Sequence, residues 1–159
     1  MDKIEPEIRT GAPMRLAGLG ARHKMGAGSG ISAQWQTFVP MIYGIADKMD
    51  PKTTYGVCYD FDQNTGEMNY FCGVETDSAE LPPSVEMLVI PAQDYAVFHH
   101  PGHLSSISQT WMAIFNQWLP QCDYEITDGP EIECYGPKFD GRTGKGGVDI
   151  WIPVKAKTG

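Results

Sequence analysis

Residues Tyr124 to Lys155 read YEITDGPEIECYGPKFDGRTGKGGVDIWIPVK, and this stretch decides the fold. Asp128, Gly129 and Pro130 interrupt two alternating runs, so DYEITDGPEIECY reads as a hairpin. A second break, Gly136 to Gly147, precedes a third run, Val148 to Val154. Two of these strands carry a carboxylate with a large aromatic two residues on: Glu133 with Tyr135, and Asp149 with Trp151. Side chains two apart on a strand share a face. A negative charge framed by rings is a sound receptor for a lipophilic cation. On the last strand, alternation leaves two options open. Either Asp149 and Trp151 face inward, or Ile150 and Ile152 do.

Upstream of this stretch, Ile107, Trp111, Ile114, Phe115 and Trp118 recur at helical spacing, with Ser105 or Ser106 as a cap and Pro120 as a stop. Before that helix, Val85 to Pro101 predicts a long strand, or two strands bent at Pro91 to Asp94. Thr54 to Phe61 and Glu67 to Glu75 predict a hairpin around residues 62–66. After the Gly26 to Gly30 break (GAGSG), Ile31, Trp35, Phe38, Ile42 and Ile45 predict a first helix running to about Lys48. Ser29 or Ser32 would cap it, and Pro40 would kink it. Ile8 to Thr10 and Met14 to His23 predict a strand pair around Gly11-Ala12-Pro13. Helix-then-hairpin thus occurs twice, which predicts an α+β domain built as a tandem β-α-β-β repeat. Its halves would span about 6–80 and 84–155 of a single domain, 1–159. A shared cavity on the pseudo-twofold axis is expected from that architecture.

The chain has 159 residues, 42% hydrophobic and 20% charged, which suits one globular domain. Twelve Lys and Arg against 20 Asp and Glu give a net charge of −8. No Lys/Arg cluster appears, so direct nucleic-acid binding by this chain is not expected. The acidity favours cationic small molecules, or simply solubility. No apolar run approaches the ~20 residues that span a bilayer. MDKIEPEIRT lacks the apolar core of a signal peptide, so a cytoplasmic location is expected. Cys58, Cys72, Cys122 and Cys134 form no CxxC pair and read as buried, reduced thiols. His99 and His100 point to opposite strand faces, so with His103 they make a poor metal site. No GxSxG elbow is present, and GAGSG lacks the residues of a phosphate loop. No metal or cofactor is expected.

AVFHHPG before the second helix, the helix end WLP, DYEITDGPEIECY and the closing VDIWIPVK together resemble the GyrI-like effector-binding domain family. YGVCYDF and YFCGVE resemble its central hairpin. This fold also serves as the ligand-sensing half of some AraC-type and MerR-type multidrug regulators. The resemblance runs from about Glu7 to Lys155. It implies a curved antiparallel sheet with two main helices on one face and a ligand pocket between them. It places Glu133 as the pocket acid, and Asp149 and Trp151 as a second acid and aromatic. Tyr135 would join them. Trp35, Phe38, Trp111, Phe115 and Trp118 are helix-face aromatics that either fill the core or wall the pocket. Tyr59, with Tyr55 and Phe71, is suggested by the pseudo-symmetry. The glycine-rich, basic loop Gly136 to Gly147 departs from the family pattern.

The expected function is a stand-alone module, without a DNA-binding region, that senses or sequesters a hydrophobic, cationic aromatic compound. A homodimer or a separate regulator protein would be its partner. One alternative is a hydrolase that opens reactive cyclopropane rings, with Glu133 activating water beside Tyr135 or Tyr59. Another is modulation of a protein partner such as DNA gyrase.

Overall fold

The computed structural model describes residues 5–24, 30–50 and 52–157. Ser29 and most of the GAGSG break lie outside the described residues. Nine strands are described: β1 (Glu7–Gly11), β2 (Met14–Lys24), β3 (Thr54–Asp62), β4 (Glu67–Glu75), β5 (Glu86–Ile90), β6 (Gln93–His100), β7 (Tyr124–Ile126), β8 (Glu131–Tyr135) and β9 (Val148–Ala156). Helix α1 (Ile31–Phe38) follows β2, and α2 (Ile107–Ala113) follows β6. All pairings are antiparallel, in the order β1-β6-β9-β8-β3-β4-β2-β5, with β7 on the remaining stretch of β9.

The sheet reads alike in both directions from its centre: β8-β9-β6 on one side, β3-β4-β2 on the other. Each triplet with its helix is one β-α-β-β unit, so the architecture is an α+β tandem repeat. Side chains repeat as well. Ile31-Ser32-Ala33-Gln34-Trp35 opens α1 and Ile107-Ser108-Gln109-Thr110-Trp111 opens α2. His23, near the end of β2, hydrogen-bonds Gln34, and His100, at the end of β6, hydrogen-bonds Thr110. The outer strands are exchanged between the halves: β1 pairs with β6, and β5 pairs with β2.

This exchange corrects the expected pairing of Ile8–Thr10 with Met14–His23. The ladder edges of β1 and β2 are taken by β6, β4 and β5. Residues 12–13 instead carry the chain from one end of the sheet to the other. The Asp128-Gly129-Pro130 break is likewise no hairpin turn. β7 and β8 run the same way along one edge of β9 and are a single strand line with an interruption. Pro130 has no N–H for the ladder, and Gln93 Nε2 donates to its carbonyl at 3.1 Å. The true hairpin joins β8 to β9 through the glycine-rich loop. There Gly144 (φ 76°) and Gly147 (φ 88°) adopt left-handed backbone against the rings of His103 and His99. Helix α1 is shorter than its periodicity suggests, because Pro40 cannot continue the α-helical ladder; Val39–Gly44 follow as a 3-10 turn. Ser106 occupies the N-cap position of α2, but its hydroxyl donates to the His103 carbonyl at 2.8 Å instead of capping the helix; the preceding turn is capped by His103, whose Nδ1 accepts the Ser105 N–H at 3.0 Å.

Alternation sorts the apolar residues onto two faces. Under α1 lie Phe38, Ile45, Tyr70, Cys72 and Val74. Under α2 lie Phe98, Ile114, Ile150, Ile152 and Val154. The third cluster contains no helical residue: Met14, Leu16, Ile90, Tyr95 and Val97 from the sheet ends meet Tyr55, Val57 and Ile132 from its centre. The sheet therefore curls around one face and offers the other to the helices. No helix among the described residues is long and apolar enough to cross a membrane. Phe38 is wholly buried under α1, so Phe38→Ala should lower the unfolding free energy by about 3–5 kcal/mol. Denaturant unfolding measures this directly.

Candidate functional site

Strand β8 aims Ile132 into the curled cluster, so its other face carries Glu131, Glu133 and Tyr135 toward the helices. These three form part of the floor of a cleft of about 1830 Å³. That exceeds the ~300–1,000 Å³ of an ordinary drug-sized site, because the cleft widens to a mouth where Met112 and Phe61 are exposed. Trp35 and Ile31 wall it on the α1 side, and Ile107, Trp111 and Phe115 on the α2 side. Tyr70 and Cys58 complete the floor, and Phe139 and Arg142 of the β8–β9 loop close one end.

Glu133 lies at the centre of the sheet, paired with Gly56 on β3 and Ile150 on β9. A side chain on Gly56 would collide with the Tyr70 hydroxyl and touch the Trp35 ring at 3.4 Å. The bare backbone of Gly56 thus makes room for both. Tyr135 Oη donates to Glu133 Oε1 at 3.1 Å, and Trp111 Nε1 donates to Oε2 at 3.3 Å. Trp35 Nε1 donates to Tyr70 Oη at 2.9 Å. Helix α2 therefore bonds the carboxylate directly, and α1 braces the phenol beside it. The rings stand edge-on around it, with Trp35 and Tyr135 centroids 5.4 Å apart and Tyr135 and Phe139 4.8 Å apart. Trp111 and Phe115 stack at 6.1 Å.

Burial raises the pKa of Glu133, and the donors Trp111 and Tyr135 offset only part of that rise. Burial also raises Glu131, with the neighbouring charge of Glu133 as the second cause. Tyr135 is pushed up by burial and then by Glu133. Burial holds the Cys58 thiol well above its ordinary range, so it is no nucleophile at neutral pH. The ion pairs among the described residues are Arg9–Glu7, Arg22–Glu67, His99–Asp149 and Lys155–Glu125. None supplies a cation to Glu133 or Glu131. A buried carboxylate held only by neutral donors retains an electrostatic demand that a bound cation would meet.

Of the residues singled out from the sequence, Glu133, Tyr135, Trp35, Tyr59, Trp111 and Phe115 line the cleft. The other six, Asp149, Trp151, Phe38, Trp118, Tyr55 and Phe71, lie elsewhere, the last two within the curled cluster on the reverse face. Ile150 and Ile152 take the helix-facing side of β9, and alternation turns Asp149 and Trp151 to the opposite face. There Asp149 pairs with His99 at 2.7 Å, and Trp151 packs on Tyr55 and Tyr95. Phe38 is core beneath α1, and Trp118 packs edge-on against Phe98 beneath α2. Tyr70, Glu131 and Phe139 were not anticipated. Glu131 was legible as the same-face neighbour two residues before Glu133. Tyr70 needed the register of β4, which sends Phe71 to the other face. Among the described residues no three His, Cys, Asp or Glu side chains converge as a metal site. His100 bonds Thr110 and the His103 carbonyl, and the His103 ring bonds the Thr143 carbonyl.

A twofold α+β sheet with an aromatic cleft between its two helices is the frame of a small-molecule binding domain. The family profile of the GyrI-like small molecule binding domain matches residues 4–155, and the chain belongs to that family. It is 33% identical over 129 residues to the transcriptional regulator BrlR of Pseudomonas aeruginosa, covering 80% of this chain and 47% of BrlR. It is 34% identical over 86 residues to a DNA gyrase inhibitor of Erwinia billingiae, covering 52% of this chain and 54% of the inhibitor. The chain thus spans about half the length of these curated relatives. Among solved structures, SAV2435 bound to tetraphenylphosphonium shares the fold with a TM-score of 0.74 at 20% identity, covering 96% of this chain and 94% of that one.

The raised pKa of Glu133 has a sign that stability measurements can read. The folded protein binds that proton more tightly than the unfolded chain does. The ionised carboxylate therefore costs stability above the folded-state pKa, and the cost vanishes below the unfolded-state value near ~4.3. Glu133→Gln should be more stable than the wild type at neutral pH, with the gap closing as pH falls. Denaturant unfolding of both proteins across mildly acidic to neutral pH checks this.

Proposed function

We propose that this chain binds lipophilic aromatic cations in the cleft between α1 and α2, with Glu133 as the counter-charge. The observation that carries the reading is a carboxylate at the cleft floor, hydrogen-bonded by Trp111 and Tyr135 and paired with no cation among the described residues. Ring walls remove apolar ligand surface from water at ~25 cal/mol per Å². Their faces add attraction for positive charge. The rim carries Asp60, Asp128 and Asp140 against Lys52 and Arg142, a surplus of acid that draws cations inward. The tetraphenylphosphonium held by SAV2435 belongs to the same ligand class, on the same fold. By analogy with BrlR, we read the domain as a sensor or sink for such compounds, acting alone or coupled to a regulator protein.

Tetraphenylphosphonium titrated against the protein, followed by tryptophan fluorescence, tests the proposal. Glu133→Gln should weaken binding by about tenfold or more, each tenfold being ~1.4 kcal/mol. Wild-type affinity should fall as acidification through the raised Glu133 pKa neutralises the carboxylate. Affinity that stays constant from mildly acidic to neutral pH would refute the counter-charge role.

A second reading, hydrolysis of an electrophilic substrate, is favoured by one observation. Tyr135 lies within hydrogen-bond reach of Glu133 inside the cleft, as a base and a positioning hydroxyl would. Turnover of an activated cyclopropane, abolished in Glu133→Gln, would support it; stoichiometric binding without product would support the sensor.

A further inference from the structure

We propose that Glu131 is a second anchoring carboxylate that makes the cleft selective for dications, compounds with two positive centres on one flat aromatic body. The inference rests on the cation-binding reading above and extends it to ligand class. Glu131 and Glu133 line the same cleft from the same face of β8. Two residues along a strand set their side chains ~7 Å apart. Their hydrogen bonding differs. Glu133 receives donors at both oxygens, from Tyr135 and Trp111. No hydrogen bond or ion pair engages the Glu131 carboxylate among the described residues; the forces acting on it are burial and the charge of Glu133. Its register partner on β3 is Cys58, whose buried thiol offers no compensating charge.

The other charged groups facing the cleft are Asp60, Asp128, Asp140, Lys52 and Arg142, all exposed at its rim. None forms an ion pair with Glu131. Two like charges on one strand repel each other, and no cation among the described residues pairs with either. A monocation over Glu133 satisfies one and leaves the other unpaired. A rigid body with a positive centre at each end satisfies both, and its flat middle lies among Trp35, Trp111 and Tyr135. Such a ligand also collects the Coulomb energy that the two carboxylates lose by sharing a face.

The test compares N,N′-dimethyl-4,4′-bipyridinium, with a charge at each end, against N-methyl-4-phenylpyridinium, of nearly the same shape with one charge. Both are titrated calorimetrically at low ionic strength into wild type, Glu131→Gln and Glu125→Gln, the last removing an acid that pairs with Lys155 away from the cleft. Wild type should prefer the dication by about tenfold. Glu131→Gln should bring the ratio close to one while leaving monocation affinity within about twofold, and Glu125→Gln should leave the ratio unchanged. Glu131→Thr, which suits a strand, supplies the same readout should the glutamine variant fold poorly. A ratio that survives loss of Glu131, or that falls equally in Glu125→Gln, overturns the proposal. Binding of the monocation with no dication preference defeats the role of Glu131 alone. Binding of neither probe defeats the cation-binding reading with it.

Discussion

One carboxylate sits at the centre of a nine-stranded sheet and, among the described residues, is satisfied by neutral donors alone. Isolated burial of an ionised carboxylate costs several kcal/mol, while a hydrogen bond to a charged group returns only ~1.5–3 kcal/mol. Those donors must therefore be fixed in place before any ligand arrives. The Trp111 indole is held by α2, which the His100–Thr110 bond and the His103 cap tie to the end of β6. Tyr135 is fixed by its own strand, by the Trp35 ring and by Phe139. Tyr70 is fixed because Gly56 leaves it room. Each of these placements belongs to a different element, so the site exists only when both halves are assembled.

The location of the cleft follows from how the sheet buries its two faces. The clusters under α1 and α2 are separate, one built on β4 and one on β6 and β9. Neither helix covers the middle strands β3 and β8, so the floor between them stays open to ligand. On the reverse face the same two strands are covered, because the sheet ends curl over Tyr55, Val57 and Ile132. Exchange of β1 and β5 draws those ends together. The curl that completes the core on one face thus opens the groove on the other.

Much of this was legible in the sequence. Helix-then-hairpin appeared twice, and the phrase PEIECY placed Glu133 and Tyr135 on one face through period-two alternation. Strand pairing was less legible, because a turn signal marks where a chain bends and not which strand it meets. Gly11-Ala12-Pro13 and Asp128-Gly129-Pro130 both looked like hairpin turns, yet one is a crossing and the other an interruption within a strand line. On β9, alternation offered two faces, and only the position of α2 decides that Ile150 and Ile152 take the inner one. Helical spacing could not separate Trp111 from Trp118 either. The π-turn over Ile114–Trp118 changes the period midway and turns Trp118 toward Phe98.

The pseudo-twofold symmetry explains why there is a single central acid. Gly56 and Glu133 are register partners across the axis, and each pairs on its other side with an inward-facing residue of its own half, Cys72 and Ile150. The two positions are therefore equivalent, and so are Trp35 and Trp111, the fifth residues of their helices. Strict symmetry would put a second glutamate at position 56, directly opposite the first, and two carboxylates on neighbouring strands at that spacing would repel strongly. In the first half the acid is replaced by bare backbone, and the hydroxyl of Tyr70 moves into the space. The Trp35 indole, which would have met a carboxylate, meets that hydroxyl instead. A scaffold with two equivalent helices thereby becomes a site with one central carboxylate, bonded directly by Trp111 of α2 and by Tyr135, while Trp35 of α1 bonds Tyr70 instead. A ligand entering between the helices meets two aromatic walls of similar shape, and the positive centre that goes deepest between them meets Glu133.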